Sequence, residues 1–223
     1  MLKHIPNALT LTRLILAPVI AWLSWEGVYI SGYWEVTDSA TYHWGDTSLT
    51  IAAFLFVIAA LTDLFDGMAA RAFNAQSKFG RIIDPIADKA LVGLPLIAIA
   101  SAQWHGLLFP YVPVVTFAVA VIVIRDVTMT WIRLSSADGE GARVSSLAKI
   151  KTALELVVIG AYLICAVVLI YIIGPVSEAG GDARYAFESF RRFLSEAWVG
   201  LLVVTAALSA YTGWQYLRPA KKS

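Results

Sequence analysis

Asp63, Asp66, Asp84 and Asp88 are the residues of this sequence whose type and spacing could do chemistry. Residues 63–88 hold these four aspartates, with no other acid between Asp66 and Asp84. On helices Asp63 and Asp66 are i, i+3, and Asp84 and Asp88 are i, i+4, so each pair occupies one face. A short turn around Asn74 to Lys78 would fold the two helices together and bring all four carboxylates to one place. Like charges so crowded repel one another and take up protons unless cations sit among them. Oxygen ligands without His or Cys favour Mg²⁺, Mn²⁺ or Ca²⁺ over zinc. Mg²⁺ takes only one or two protein carboxylates and completes its shell with water and phosphate oxygens, which predicts a phosphate-bearing substrate. Gly67 follows Asp66 and Gly80 lies one turn before Asp84, so both leave backbone bare where a ligand could approach. Ala70 keeps the first face shallow, and Arg71 offers a guanidinium fork to a diphosphate. The competing reading is a carboxylate-lined cation carrier, with the glycines serving close helix packing.

A second set is basic: Arg125, Arg133, Arg143, Lys149 and Lys151. Arg125 and Arg133 are eight apart, on roughly one helix face, and an acceptor carrying its own phosphate would need such cations. Arg125 sits about two turns inside an apolar stretch, where a charge ordinarily has a polar partner or a function. Adjacent Asp126 could help to compensate it. The plainer explanation of the set is the bias of Lys and Arg toward cytoplasmic loops. Lys89 reads as a surface lysine whose stem lies along apolar neighbours.

The elements that must position these groups follow from composition. Of 223 residues, 59% are hydrophobic, against roughly 45–50% in soluble domains, and the mean hydropathy is +0.71. Apolar blocks of helix-spanning length fill most of the chain. They predict an all-α polytopic membrane protein of a single domain over residues 1–223. Six spans are expected at about 9–30, 48–70, 84–101, 108–132, 149–173 and 194–216, the first and third being the least apolar. Residues 1–8, with Leu2, Ile5 and Leu9 at i, i+3, i+7, predict a short N-terminal helix lying in the interface, or a plain extension of the first span. Loops holding Lys3, Arg71, Lys78, Arg143 and Lys221 alternate with poorly basic ones, so both termini are expected in the cytoplasm. Arg184, Arg191 and Arg192 fit that pattern less well. The 17 Lys and Arg form no basic stripe, so nucleic acid is not an expected partner. Cys165 is the sole cysteine, which excludes a disulfide within the chain. His4, His43 and His105 have no metal-ligand spacing. Trp residues such as Trp22, Trp25, Trp198 and Trp214 are expected at the membrane interfaces.

Eight of these positions, Asp63, Asp66, Gly67, Ala70, Arg71, Gly80, Asp84 and Asp88, match the pattern D-x2-D-G-x2-A-R-x8-G-x3-D-x3-D without a departure. In this the chain resembles the CDP-alcohol phosphatidyltransferases. IPNALTLTRLILAP at residues 5–18 and AKIKTA at 148–153 are similar to the bacterial phosphatidylglycerophosphate synthase branch. The resemblance implies that Asp63, Asp66, Asp84 and Asp88 hold two Mg²⁺ ions, with Mn²⁺ as a substitute, against the diphosphate of CDP-diacylglycerol. It implies that Asp88 also acts as base toward the acceptor hydroxyl. Gly67, Ala70 and Arg71 would face the CDP moiety, with Asn7 and Thr10 as additions. Glycerol 3-phosphate is the expected acceptor, its phosphate met by Arg125, Arg133, Arg143, Lys149 and Lys151. The stretch IRDVTMTWIRL departs from that branch and resembles the cardiolipin synthases of the same family, for which phosphatidylglycerol is the acceptor. A homodimer in the bacterial inner membrane, its active site facing the cytoplasm, is also implied.

Overall fold

The computed structural model describes residues 5–32, 39–73, 80–103, 111–135, 146–173 and 182–217, with side chains described for 10–30, 45–62, 83–103, 111–132, 135, 147–171, 182 and 185–216. Among the described residues there are six helices and no strand. We number them α1 (Ile5–Gly32), α2 (Ser39–Phe73), α3 (Gly80–Ala102), α4 (Val112–Ser135), α5 (Ser146–Val168, continued by a π turn Leu169–Ile173) and α6 (Asp182–Leu217). The chain is an all-α polytopic membrane protein: α1, α2, α4, α5 and α6 are each long and apolar enough to cross a bilayer. α3 is not among these five, and Arg81, Asp84, Asp88 and Lys89 all fall within its first ten residues.

The described part of residues 1–8 follows the second of the two expectations, a plain extension of the first span, since Ile5 to Leu9 run without a break into α1. One boundary differs from the sequence-based expectation. α6 begins at Asp182, not near 194. Its first turns are held as helix by Asp182 in the first turn and by Arg191–Glu188 and Arg192–Glu196 pairs at 2.7 and 2.9 Å, and the stretch long and apolar enough to cross a bilayer begins already at Tyr185. At 36 residues, α6 is about 54 Å long.

α1 packs against α2 and α3, while α6 packs against α4 and α5; α3 meets α4 and α2 meets α5 to close the bundle. In a membrane the interior is marked by small residues and close packing, since lipid is as apolar as leucine. Ala17, Ala52 and Ala59 accordingly lie buried beside Ile20, Phe56, Leu96, Ile99, Ile122, Ile159 and Leu202. Phe54, Phe117, Ile124 and Trp131 point outward, as an apolar solvent allows. α1 and α2 approach closely at Gly27, where a Cβ would stand 2.5 Å from Leu49 Cγ and 2.9 Å from the Gly45 carbonyl oxygen. Trp198 is a correction to the interfacial reading of the tryptophans. It is buried in α6 and donates its indole N–H to the Val158 carbonyl at 2.8 Å.

Antiparallel alternation brings the N-terminal turns of α1, α3 and α5 to the same end as the C-terminal turns of α4 and α6. The ties at that end join Thr10 to Asp84, Lys151 to Asp126 and Arg125 to Thr212. At the opposite end Ser48 donates to Glu26 and Tyr111 to Glu196, each at 3.0 Å.

Candidate active site

Asp84 and Asp88 lie one turn apart near the start of α3, and α1 supplies a partner for each. The Thr10 hydroxyl donates to Asp84 Oδ1 and Arg13 Nη1 to Asp88 Oδ1, both at 2.5 Å. Thr10 and Arg13 are themselves i, i+3, so two matching helix faces meet in two rungs. Thr10 is buried and Arg13 is only 4% exposed, whereas the Asp88 side chain is 41% exposed. The carboxylates therefore stand with their backs to α1 and with Asp88 open on another side. Pro85, directly after Asp84, and Pro95 each remove one backbone hydrogen bond from α3. Side-chain ties consequently matter more to how these turns are held.

Asp63, Asp66, Gly67, Ala70 and Arg71 belong to the C-terminal turns of α2, and Gly80 opens α3. The side chains of these α2 residues, and with them the convergence of all four aspartates, lie outside the described residues. So does the side chain of Asn7, whose backbone is in α1. Among the described residues no three His, Cys, Asp or Glu side chains gather. Asp84 and Asp88 supply hard oxygen donors, partly exposed and one turn apart, a donor type that fits Mg²⁺ or Mn²⁺.

On its other side α3 meets a buried ionic cluster. Asp126 of α4 lies 2.8 Å from Lys89 of α3 and 2.9 Å from the guanidinium of Arg125, and also pairs with Lys151 of α5. Lys151 in turn contacts Glu155, one turn along, at 2.6 Å. Asp126, Lys151 and Glu155 are all buried. Three cations thus face two carboxylates, leaving a surplus of positive charge. Removing one partner of such a buried pair costs about 3–5 kcal/mol, and inside a membrane bundle the pairing is what allows these charges to be there. Arg125 also reaches α6, donating from Nη2 to Thr212 Oγ1 at 3.1 Å. Gly213 makes room for it, since a Cβ there would lie 3.0 Å from Arg125 Cγ.

The basic set read from the sequence is therefore divided. Arg125 and Lys151 come together, but through Asp126, and the Lys151 ammonium is enclosed between Asp126 and Glu155. Lys149 is exposed, two residues away and so on the opposite side of α5. Arg133 belongs to α4 with its side chain outside the described residues, and Arg143 lies outside them altogether. Lys89 is no snorkelling surface lysine: its side chain is 21% exposed and its ammonium is held by Asp126. Arg13 and Glu155 were not singled out by spacing. A lone arginine in the face that carries Thr10, and a Lys–Glu i, i+4 pair within an apolar span, were the available signals.

Comparison with known proteins adds to this geometry. A family model described as CDP-alcohol phosphatidyltransferase matches residues 3–178. The chain is 30% identical to a protein of Cereibacter sphaeroides named CDP-diacylglycerol–glycerol-3-phosphate 3-phosphatidyltransferase, over 97% of this chain and 95% of that one. It is 34% identical to the Bacillus subtilis protein of the same name, over 72% and 77% of the two chains. A numbered form of that name from Arabidopsis thaliana is 30% identical over 96% of this chain and 78% of its own.

Proposed function

The chain belongs to the CDP-alcohol phosphatidyltransferase family, and from that premise we propose that it transfers the phosphatidyl group of CDP-diacylglycerol to glycerol 3-phosphate, giving phosphatidylglycerophosphate and CMP. The observation that carries this reading is the position of Asp88. It is held from α1 by Arg13 and is open on another side, while its neighbour Lys89 joins the cationic cluster of Arg125 and Lys151. A carboxylate that can accept a proton thus stands beside a region whose surplus positive charge suits an acceptor bearing a phosphate. Relatives named for glycerol 3-phosphate that span nearly the whole chain support the same acceptor. Membership of a transferase family leaves the cation-carrier reading without support.

In this reaction the acceptor hydroxyl oxygen bonds to the phosphorus that carries diacylglycerol, the bond from that phosphorus to the CMP oxygen breaks, and Asp88 takes the hydroxyl proton. Thr10 and Arg13 hold Asp84 and Asp88 in place. Gly67, Ala70 and Arg71 of α2, with Asn7, meet the CDP moiety. Asp63, Asp66, Asp84 and Asp88 would hold two Mg²⁺ ions, whose chemistry when bound is to neutralise the diphosphate. Arg125, together with Arg133, Arg143 and Lys149, would meet the acceptor phosphate, with Lys151 supplying its charge from within the cluster. The end of the bundle that carries the site faces the cytoplasm in the bacterial inner membrane, and the protein works as a homodimer.

The test is CMP release by purified protein given CDP-diacylglycerol and Mg²⁺, with glycerol 3-phosphate and phosphatidylglycerol offered separately. Release with glycerol 3-phosphate, stopped by EDTA and restored by Mg²⁺ or Mn²⁺, is the expected result. Release with phosphatidylglycerol alone would replace the acceptor, and release that survives chelation would remove the metal from the scheme.

A further inference from the structure

Asp126 takes no part in the scheme above, yet it contacts cations from three helices. Lys89 reaches it from α3 at 2.8 Å, Arg125 from α4 at 2.9 Å, and Lys151 from α5. We propose that Asp126 is a positioning residue for phosphatidyl transfer: by drawing Lys89 toward α4 it fixes the rotation of the first turns of α3, and with it the aim of Asp84 and Asp88. The inference rests on the family's reaction and is independent of which acceptor is used.

Lys89 follows Asp88 directly, about 100° farther around the helix. Asp84 and Asp88 are tied to α1 through Thr10 and Arg13, so the two sides of α3 are held by different helices at the same level. A single tie would leave α3 free to roll about it; two ties on different sides set the roll. The need is greater here than in an ordinary helix, because Pro85 and Pro95 each take one hydrogen bond from the α3 ladder. Aspartate oxygens lie about 5–6 Å from a helix axis, so a roll of about 10° moves them by about 1 Å. A displacement of that size is enough to lower turnover on the order of 100-fold. Asp126 is well placed to resist the roll. It is buried, and Lys151 and Arg125 fix it from two further directions, while Lys151 is itself held by Glu155.

The experiment compares the wild type with Asp126→Asn, Asp126→Glu and Lys89→Met as full-length proteins in detergent or vesicles, using whichever acceptor the wild type accepts. For each variant kcat, KM for both substrates and thermal unfolding are measured. Asp126→Asn, folded at the assay temperature, is expected to lose kcat by about 10–100-fold with both KM values within about twofold of wild type. Lys89→Met is expected to show the same split, and the double variant no further loss, because both break one tie. Asp126→Glu should recover part of kcat. If Asp126→Asn does not fold, Lys89→Met decides, since Lys89 is partly exposed and its removal leaves the other pairs of the cluster in place. Unchanged kcat in the folded variants, with only a lower unfolding temperature, would overturn the proposal. So would a raised KM for the acceptor at unchanged kcat, which would mark the cluster as a binding element alone. A wild type that releases no CMP with glycerol 3-phosphate but does so with phosphatidylglycerol would instead correct the acceptor, and the variants would still decide on Asp126.

Discussion

Replacing Arg13 by methionine removes the guanidinium that lies 2.5 Å from Asp88 while keeping a long, apolar stem in the α1–α3 contact. A hydrogen bond to a charged group contributes about 1.5–3 kcal/mol. Arg13 is buried, so its own pairing is fully lost, but the Asp88 side chain is 41% exposed and water can take up part of the demand. The net loss of orientation at Asp88 is therefore set at about 1–2 kcal/mol, which corresponds to about 5–30-fold in an equilibrium between well and badly aimed carboxylates. The Thr10–Asp84 rung one turn away remains, so α1 and α3 stay docked. CMP release in detergent, measured beside thermal unfolding, is the assay: kcat should fall by about 5–30-fold in protein that still unfolds cooperatively. Arg13→Lys, which keeps the charge without the fork, should fall between the two. Wild-type kcat in Arg13→Met would refute the idea that α1 aims the carboxylate.

Two further changes test the packing that carries the site. Gly27→Ala should destabilise by about 1–3 kcal/mol, because its Cβ would meet Leu49 Cγ at 2.5 Å and a backbone oxygen, which cannot yield, at 2.9 Å; an unchanged unfolding temperature would contradict that contact. Trp198→Phe removes the indole donor to the Val158 carbonyl and part of a ring packed 5.1 Å from Tyr162. It should cost about 1–3 kcal/mol, read as earlier unfolding with the activity per folded molecule retained.

The motif was legible because its spacing is local. Asp84 and Asp88 share a face by helix geometry alone, and the six helices follow from six apolar blocks. What sequence did not disclose is what those faces meet. Thr10 and Asp84 are 74 positions apart and Arg13 and Asp88 are 75 apart, so nothing local pairs Arg13 with Asp88, and Lys89 read as a snorkelling surface lysine. Asp126 was legible only as a neighbour of Arg125, since its role as a junction depends on α3 and α5 arriving beside it. Hydropathy also ends where the apolar character ends, whereas a helix can continue into water. That is why α6 starts at Asp182, a dozen residues before the sixth span expected near 194.

The claim beneath all of this is that Asp88 accepts the proton of the attacking hydroxyl. Asp88→Asn keeps the shape and the reach of the side chain and removes its basicity, so with CDP-diacylglycerol, Mg²⁺ and glycerol 3-phosphate its CMP release should drop by about 10²–10⁴-fold in folded protein. Release at the wild-type rate would contradict it.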